Sequence, residues 1–192
     1  MSVKVIYVMG PSGVGKDSLL NCLRSHVKHL QPAPALHFAR RTITRAAGDA
    51  TEDHEAISPE NFAQLASEGG FALHWQAHGL HYGVRHTEIA GRDGWVIVNG
   101  SRAYVQEARE RCPGLTVLHV SAPEHLVRQR LLSRQRETAA EVEARVRRSQ
   151  SAAVDAAEGD LHLVNAGSLD ESATALYQLL QRHTGLRLLQ TF

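Results

Sequence analysis

The sequence has few cysteines, almost no net charge and no long hydrophobic run. Its two cysteines, Cys22 and Cys112, lie too far apart to form a metal or redox motif, which suits ordinary thiols in a reducing cytoplasm. Lysine and arginine number 21 against 20 aspartate and glutamate residues, so the charge balance supports neither a nucleic-acid nor a membrane partner. Gly10 and Pro11 interrupt the first apolar segment, so we expect no leader peptide, no membrane span and a cytoplasmic location.

Short apolar runs of strand type are present instead, and they alternate with helical segments. The predicted strands cover residues 3–8, 36–43, 95–98, 115–120 and 161–164, with strand and turn over 71–84. The predicted helices begin after Lys16, at Ser58-Pro59, after a cap at Ser121, and near Glu171. This alternation indicates an α/β fold with a mostly parallel sheet flanked by helices, which binds ligands at the carboxyl ends of its strands. The 192 residues suffice for one such core with small inserted lobes.

A glycine-rich turn separates the first strand from the first helix. Residues 10–16, GPSGVGK, match the spacing of a phosphate-binding loop. Glycines let successive backbone N–H groups curl around an anion, the helix directs its positive end to the same place, and Lys16 adds a full charge. The predicted nucleotide-binding residues are Gly10, Pro11, Ser12, Gly13, Val14, Gly15, Lys16, Asp17 and Ser18.

The residue after Lys16 departs from the usual motif. Asp17 stands where a serine or threonine hydroxyl normally binds Mg²⁺, and the hydroxyl is displaced to Ser18. A carboxylate is also a hard oxygen ligand, so the sequence predicts Mg²⁺ binding by Asp17 or by Ser18 and leaves the choice open.

Arginines gather in two further places. Arg40, Arg41 and Arg45 crowd the end of the strand predicted over residues 36–43, and such guanidinium groups repel one another unless an anion lies between them. Residues 126–149 are predicted to form two arginine-rich helical stretches around a polar turn. In a phosphoryl-transfer enzyme the second group would be a mobile lid that delivers three arginines, Arg134, Arg136 and Arg145. The alternatives are a solvated basic edge and a charged surface hairpin.

The histidines of residues 71–84 are not spaced as a metal site. His78 and His81 could pair, but no third ligand of matching type follows, and the stretch is predicted as strand and turn rather than helix. Polar residues presented from a turn are better placed to contact a substrate, and Tyr82 is one of them.

These segments resemble the guanylate kinase group of nucleoside monophosphate kinases along nearly the whole chain. The matching pieces are GPSGVGK, TITR ending at Arg45, DHEAIS from Asp53, LHWQA from Leu73, HYG from His81, and the arginine-bearing lid. Where guanylate kinases hold their nucleotide with a tyrosine, a glutamate and an aspartate, this chain has His54, His74 and Asn99. The resemblance therefore implies poor binding of guanine, because the donor edge of the base loses its carboxylate partners.

Those changes, with GKDSLL, AHGLHYG and VNGSR, make the chain similar to the ribose 1,5-bisphosphate phosphokinases of bacterial phosphonate degradation. The resemblance implies transfer of the γ-phosphate of ATP to the 1-phosphate of α-D-ribose 1,5-bisphosphate, giving 5-phospho-α-D-ribose 1-diphosphate (PRPP), with Mg²⁺ as cofactor. The catalytic residues would be Lys16, Arg134, Arg136 and Arg145. The acceptor-binding residues would be Arg41, Arg45, His74, Tyr82 and Asn99, with Asn99 and His74 on the sugar hydroxyls.

The expected organisation is a single P-loop kinase domain over residues 1–192, with an acceptor-binding lobe over about 36–90 and a lid over about 126–149. A guanylate kinase and a sugar kinase with a hydroxyl acceptor are the alternatives, the latter needing Asp49 or Asp53 as base. An inactive interaction module is disfavoured, since it would be expected to lose Lys16 and the lid arginines. A homodimer is compatible with the sequence, which does not reveal the oligomeric state.

Overall fold

The computed structural model describes residues 4–45, 53–133, 142–144, 146 and 157–189. Its strands are β1 (Lys4–Met9), β2 (Leu36–Phe38), β3 (Arg41–Ile43), β4 (His54–Ala56), β5 (Phe71–Ala77), β6 (Leu80–Arg85), β7 (Trp95–Asn99), β8 (Thr116–Ser121) and β9 (Leu161–Val164). Its helices are α1 (Lys16–Val27), α2 (Pro59–Ser67), α3 (His86–Ile89), α4 (Val105–Arg111), α5 (Glu124–Ser133) and α6 (Leu169–Thr184), with a 3₁₀ turn at Arg102–Tyr104. The chain divides into two compact units, residues 1–8 with 35–116 and residues 9–34 with 117–192.

The first unit contains parallel strands in the order β2-β7-β1. Ile6 pairs with Ile97 and Val8 with Asn99, so the buried apolar run of β1 lies beside that of β7. Strands buried on both faces have continuous apolar sequences, as residues 95–98 do. The two strands predicted over 3–8 and 95–98 are therefore confirmed to within one residue at each end.

The strand predicted over residues 36–43 is two strands in two different sheets, so that prediction was wrong. Leu36–Phe38 pairs with β7, whereas Arg41–Ile43 pairs with β6 and β4. Between them the N–H of Ala39 donates to the carbonyl of Ile97 and the N–H of Arg40 to the carboxylate of Glu88. The chain changes sheets without a glycine or proline, which leaves no sequence signal for the break.

The second sheet of this unit has the order β4-β3-β6-β5. Its β5–β6 hairpin turns at His78 and Gly79, whose φ values of 52° and 74° match the left-handed pair that a two-residue hairpin turn requires. The turn places Ala77 opposite Leu80 and Trp75 opposite Tyr82. The predicted helix start at Ser58 is confirmed, because its hydroxyl accepts the N–H of Asn61 at the start of α2.

The second unit contains α1, the parallel pair β8–β9, α5 and α6. The final helix begins two residues earlier than predicted, with a capping box between Ser168 and Glu171. Ser121 is the last residue of β8 and its Oγ lies 3.5 Å from the carbonyl oxygen of Leu163, so the prediction that it caps α5 was wrong. Among the described residues, no helix has the length and apolarity needed to span a membrane.

Candidate active site

The predicted phosphate loop lies in the second unit, between the end of β1 and the start of α1. Gly13 and Gly15 adopt the left-handed backbone conformation, with φ of 88° and 86°, and Gly15 is the N-cap residue of α1. A Cβ at Gly15 would overlap Nδ2 of Asn165, so both conformation and space favour glycine. Because glycine has no side chain to cap the helix, the first N–H groups of α1 can bind an anion.

Two side chains hold the carbonyl oxygen of Val14 in this loop. Asn165 donates from Nδ2 to that oxygen at 2.7 Å, and Arg130 donates from Nη1 at 3.2 Å. Arg130 also donates to the carbonyl oxygen of Asn165 at 3.3 Å, and Asn165 is only 2% exposed. In a trans peptide the C=O and the following N–H point in opposite directions. Fixing the Val14 carbonyl therefore directs the N–H of Gly15 away from Asn165.

Two arginines of α5 have different partners. Arg128 donates from Nε to Glu143 at 2.5 Å and from Nη2 to Glu124 at 2.7 Å, which is a charged surface arrangement. Arg130, four residues before Arg134 in the sequence, contacts the phosphate loop instead. The three predicted lid arginines, Arg134, Arg136 and Arg145, lie outside the described residues.

Lys16, Asp17 and Ser18 form the first turn of α1. The Nζ of Lys16 lies 3.5 Å from Oδ1 of Asp17, and their side chains are 16% and 43% exposed. Ser18 is exposed. The turn thus presents an ammonium, a carboxylate and a hydroxyl beside the glycine loop, and the two oxygen donors suit a hard cation such as Mg²⁺.

Four of the five predicted acceptor-binding residues lie together in the first unit. Arg41 donates from Nη1 to the carbonyl oxygen of Asn99 at 3.2 Å, and its guanidinium carbon lies 5.1 Å from the ring centroid of Tyr82. Arg45 donates from Nη2 to the Tyr82 hydroxyl at 3.4 Å. Two guanidinium groups on one phenol form a cationic cluster suited to phosphate oxygens.

Arg40, the third arginine of residues 40–45, forms an ion pair with a carboxylate of its own. Arg40 donates from Nε to Oδ1 of Asp53 at 3.1 Å, and the two side chains are 52% and 70% exposed. Asp53 therefore lies in a solvated ion pair, which does not favour the general base that a hydroxyl acceptor would need. The other base candidate, Asp49, lies outside the described residues.

His74 does not join the Tyr82 cluster. It pairs with Gly83 in the β5–β6 hairpin, and successive side chains of a strand point to opposite faces, so His74 and Tyr82 lie on different faces. Its ring lies 6.0 Å from that of Phe71, and burial together with the charge of Arg111 lowers the pKa of His74. The residue opposite Tyr82 is Trp75, whose ring is stacked on the phenol at 5.7 Å.

Sequence reasoning missed the supporting residues Trp75, Arg130 and Asn165. A signal for Trp75 was present, because a two-residue turn at His78-Gly79 fixes which hairpin residues face one another. Asn165 was recognised only as a strand end. No sequence pattern separated Arg130 from the other arginines of the same stretch.

A half-buried glutamate on β4, Glu55, forms an ion pair within the second sheet. Arg85 donates two hydrogen bonds to Glu55, at 2.8 and 2.7 Å, and the Thr42 hydroxyl donates a third at 2.7 Å. Burial acts to raise the pKa of Glu55, but these hydrogen bonds outweigh it and the pKa lies below its usual value of 4.5. The ionised carboxylate thus ties β4 to β3 and β6.

The described residues contain no group of three histidine, cysteine or acidic side chains arranged to hold a metal ion. His78 occupies the hairpin turn, and the ring of His81 packs 5.3 Å from that of Phe62.

Several proteins similar to this chain share one name. Proteins named ribose 1,5-bisphosphate phosphokinase PhnN from Burkholderia pseudomallei and Azotobacter vinelandii are both 42% identical to it, over 184 and 186 residues. The first alignment covers 93% of this chain and 95% of the relative, and the second covers 95% and 98%. The PhnN protein of Desulfomicrobium baculatum is 42% identical over 94% of this chain and 96% of its own length. No protein-family model matches the chain.

Solved structures of other kinases share the fold. A guanylate kinase from Anaplasma phagocytophilum matches 97% of this chain and 88% of its own with a TM-score of 0.57 and 18% identity. A gluconokinase from Sinorhizobium meliloti matches 95% of this chain and 94% of its own with a TM-score of 0.54 and 19% identity. At this identity the likeness concerns the fold alone, and it confirms the predicted guanylate-kinase-like α/β architecture. Identity above 40% over nearly the full length shows the family: the chain belongs to the ribose 1,5-bisphosphate phosphokinases.

Proposed function

We propose that the protein transfers the γ-phosphate of ATP to the 1-phosphate of α-D-ribose 1,5-bisphosphate, yielding PRPP and ADP. The observation that carries this proposal is the 42% identity, over 93–95% of the chain, to two relatives named for that phosphokinase activity. The cationic cluster of Arg41, Arg45 and Tyr82 supports an acceptor that is already phosphorylated.

The donor side of the reaction belongs to the loop that precedes α1. The backbone N–H groups of residues 10–15, except Pro11, which has none, cradle the β-phosphate. Lys16 neutralises charge on the β- and γ-phosphates as the bond to the leaving ADP breaks. Asn165 and Arg130 support this role by fixing the carbonyl of Val14. These groups need form no covalent bond, because they only position the phosphates and neutralise their charge.

The acceptor side belongs to the first unit. Arg41, Arg45 and Tyr82 hold the acceptor phosphates, while Asn99 and His74 are assigned to the sugar hydroxyls. The hydrogen bond from Arg41 to the backbone carbonyl oxygen of Asn99 places Asn99 beside this cluster. The His74 side chain lies on the other face of the sheet from Tyr82, so this placement does not support its assignment to the same sugar. The second pKa of a phosphate monoester lies near 6, so the acceptor is an oxyanion at neutral pH and attacks the γ-phosphorus without a general base.

Three further arginines, Arg134, Arg136 and Arg145, are proposed to neutralise the transferring phosphoryl group from a lid. A lid that excludes water would also protect ATP from hydrolysis. PRPP synthesis in phosphonate metabolism and a cytoplasmic location are part of the same proposal.

Asp17 or Ser18 would supply an oxygen ligand for a Mg²⁺ ion beside Lys16. Bound there, the ion would neutralise charge on the β- and γ-phosphates. Replacing Asp17 with alanine should raise the Mg²⁺ concentration needed for half-maximal rate if the carboxylate is the ligand, with Ser18→Ala as the matched variant. An unchanged Mg²⁺ titration for Asp17→Ala, together with a shifted one for Ser18→Ala, would assign the ion to the hydroxyl.

The proposed reaction is tested by a coupled assay of ADP release. Ribose 1,5-bisphosphate, GMP and gluconate are supplied in parallel at saturating ATP, with a reaction lacking acceptor as the measure of ATP hydrolysis. We expect acceptor-dependent ADP release with ribose 1,5-bisphosphate. Robust turnover of GMP alone would contradict the proposal.

A further inference from the structure

Three aromatic rings form a stack in the first unit, and sequence reasoning assigned a role to only one of them. Trp75 lies between Tyr82 and Tyr104, with ring centroids 5.7 Å from the first and 5.5 Å from the second. The planes of Trp75 and Tyr82 differ by only 5°. All three side chains are buried, with exposures of 6–7%.

The strand register places Tyr82 between two neighbours. Trp75 faces it from β5, and Ile43 faces it from β3 on the other side. Arg41 lies two residues before Ile43 on the same face of β3, with its guanidinium carbon 5.1 Å from the Tyr82 centroid. The ring is therefore confined by the indole on one side and by β3 on the other.

The position of Tyr82 sets the position of both cations. Arg41 lies against its ring, which is a cation–π contact, and Arg45 donates to its hydroxyl at 3.4 Å. Rotation of the phenol would remove one contact of each guanidinium group at once, although Arg41 would keep its hydrogen bond to the carbonyl oxygen of Asn99. Trp75 restricts that rotation, because a stacked aromatic neighbour occupies the space into which the ring would turn.

Tyr104 contacts the Trp75 ring and the backbone next to it. Its hydroxyl accepts the backbone N–H of His74 at 3.3 Å, and β5 is the edge strand of its sheet. The Tyr104 ring thus stacks on the indole, and the Tyr104 hydroxyl anchors the β5 backbone at His74, the residue before Trp75.

We propose that Trp75 is a positioning residue for the acceptor: it fixes Tyr82, and through Tyr82 it fixes Arg41 and Arg45 for binding the acceptor phosphates. This inference rests on the proposed function, and it assigns no contact between Trp75 and the substrate. A residue that served only to fill the core would lower stability without distinguishing between the two substrates.

The kinetic test compares Trp75→Leu and Trp75→Phe with the parent. The leucine variant should raise the KM for ribose 1,5-bisphosphate about tenfold, the upper range of what one aromatic pair contributes, and leave the KM for ATP within about twofold. The phenylalanine variant keeps an aromatic face against Tyr82 and should restore most of the acceptor affinity. Trp95→Phe is the matched control, since Trp95 lies at the start of β7 with Lys4 over its ring.

A binding test leaves Trp75 itself intact. The sequence has two tryptophans, so the Trp95→Phe protein carries Trp75 as its sole indole fluorophore. We expect ribose 1,5-bisphosphate to produce a saturable change in Trp75 emission, because the acceptor phosphates would change the charge around the two guanidinium groups on Tyr82, the ring stacked on the indole. ATP alone should leave the emission unchanged.

Several results would overturn the inference. An acceptor KM that is unchanged in Trp75→Leu, or raised equally with that of ATP, would do so while leaving the proposed function standing. If the leucine variant does not fold, the acceptor KM of Trp75→Phe and the fluorescence titration test the positioning role instead. Trp75 emission that stays unchanged at ribose 1,5-bisphosphate concentrations above KM would reject that role. A parent protein without ribose 1,5-bisphosphate turnover would reject the proposed function and this inference together.

Discussion

At the scale of single residues, the phosphate loop depends on one charge and on one carbonyl. Lys16 supplies the charge, and its side chain is 16% exposed beside Asp17. The carbonyl is that of Val14, held by Asn165 and Arg130. Spacing alone predicts the first of these features, because lysine belongs to the motif. The second depends on residues more than a hundred positions away, which no local pattern connects with the loop.

Lys16→Ala should lower kcat about 100-fold or more, because the ammonium acts on charge that develops during transfer. The thermal midpoint should remain close to that of the parent, since the side chain lies at the first turn of α1. Lys28→Ala, an exposed lysine just after the same helix, is the control. Near-parental turnover of Lys16→Ala in a steady-state assay would remove Lys16 from the mechanism.

Asn165→Ala should raise the KM for ATP about tenfold, since losing a donor to a buried carbonyl costs about 1–3 kcal/mol. The KM for the acceptor should change little. Asn61→Ala, an exposed amide on α2, serves as the control for loss of an asparagine side chain. Equal KM values for ATP in Asn165→Ala and the parent would show that the Val14 carbonyl needs no support from this residue.

At the scale of elements, strands with continuous apolar runs and the hairpin over residues 71–84 were predictable, whereas the short strands β2, β3 and β4 were not. Residues 161–164 were predicted as a strand and form β9 with the same bounds. β2 and β3 were merged into one strand, because the chain changes sheets at Ala39 and Arg40 through hydrogen bonds to distant residues. β4 has only three residues, and no strand was predicted there. Such short pairings form by tertiary contact, and local propensity does not specify them.

Glu55 joins three strands of the smaller sheet, which gives the stability of the protein a pH dependence of known sign. Its folded pKa lies below the usual 4.5 because hydrogen bonds from Arg85 and Thr42 outweigh burial. The stabilisation from the ionised carboxylate is therefore complete above the unfolded pKa and is lost as pH falls through the folded one. The unfolding midpoint of Glu55→Gln should lie below the parent's at pH 7, and the difference should narrow in acid.

The exposed Glu110 on α4 provides the control for that comparison. The unfolding midpoint of Glu110→Gln should equal that of the parent at every pH. A gap between Glu55→Gln and the parent that stays constant from pH 7 to below pH 4 would contradict the role given to ionised Glu55.

Helix α6 begins with a capping box, which was visible in the sequence as Ser168 followed by Glu171. Ser168→Ala should lower stability by about 1 kcal/mol, and for a chain of this length the thermal midpoint should fall by roughly 3 °C. Ser168→Asp, which keeps a capping oxygen, should recover most of the loss. An alanine variant that melts with the parent in a calorimetric scan would show that α6 does not depend on its cap.

At the scale of the whole molecule, near-neutral charge coexists with two proposed anion-binding features. The chain carries 21 basic and 20 acidic residues, so the proposed binding of phosphates would depend on where the cations are placed rather than on an excess of them. Arg40 and Arg128 are paired with carboxylates, whereas Arg41 and Arg45 are gathered on Tyr82. The placement follows from strand register in one unit and from loop geometry in the other.

The most direct test follows both substrates and products by ³¹P NMR. Purified protein is mixed with ATP, Mg²⁺ and ribose 1,5-bisphosphate, and a parallel sample receives GMP in place of the sugar. The account predicts that the 1-phosphate signal of the sugar is replaced by the two coupled signals of a diphosphate as ADP accumulates. Conversion of GMP to GDP while ribose 1,5-bisphosphate remains unchanged would contradict it.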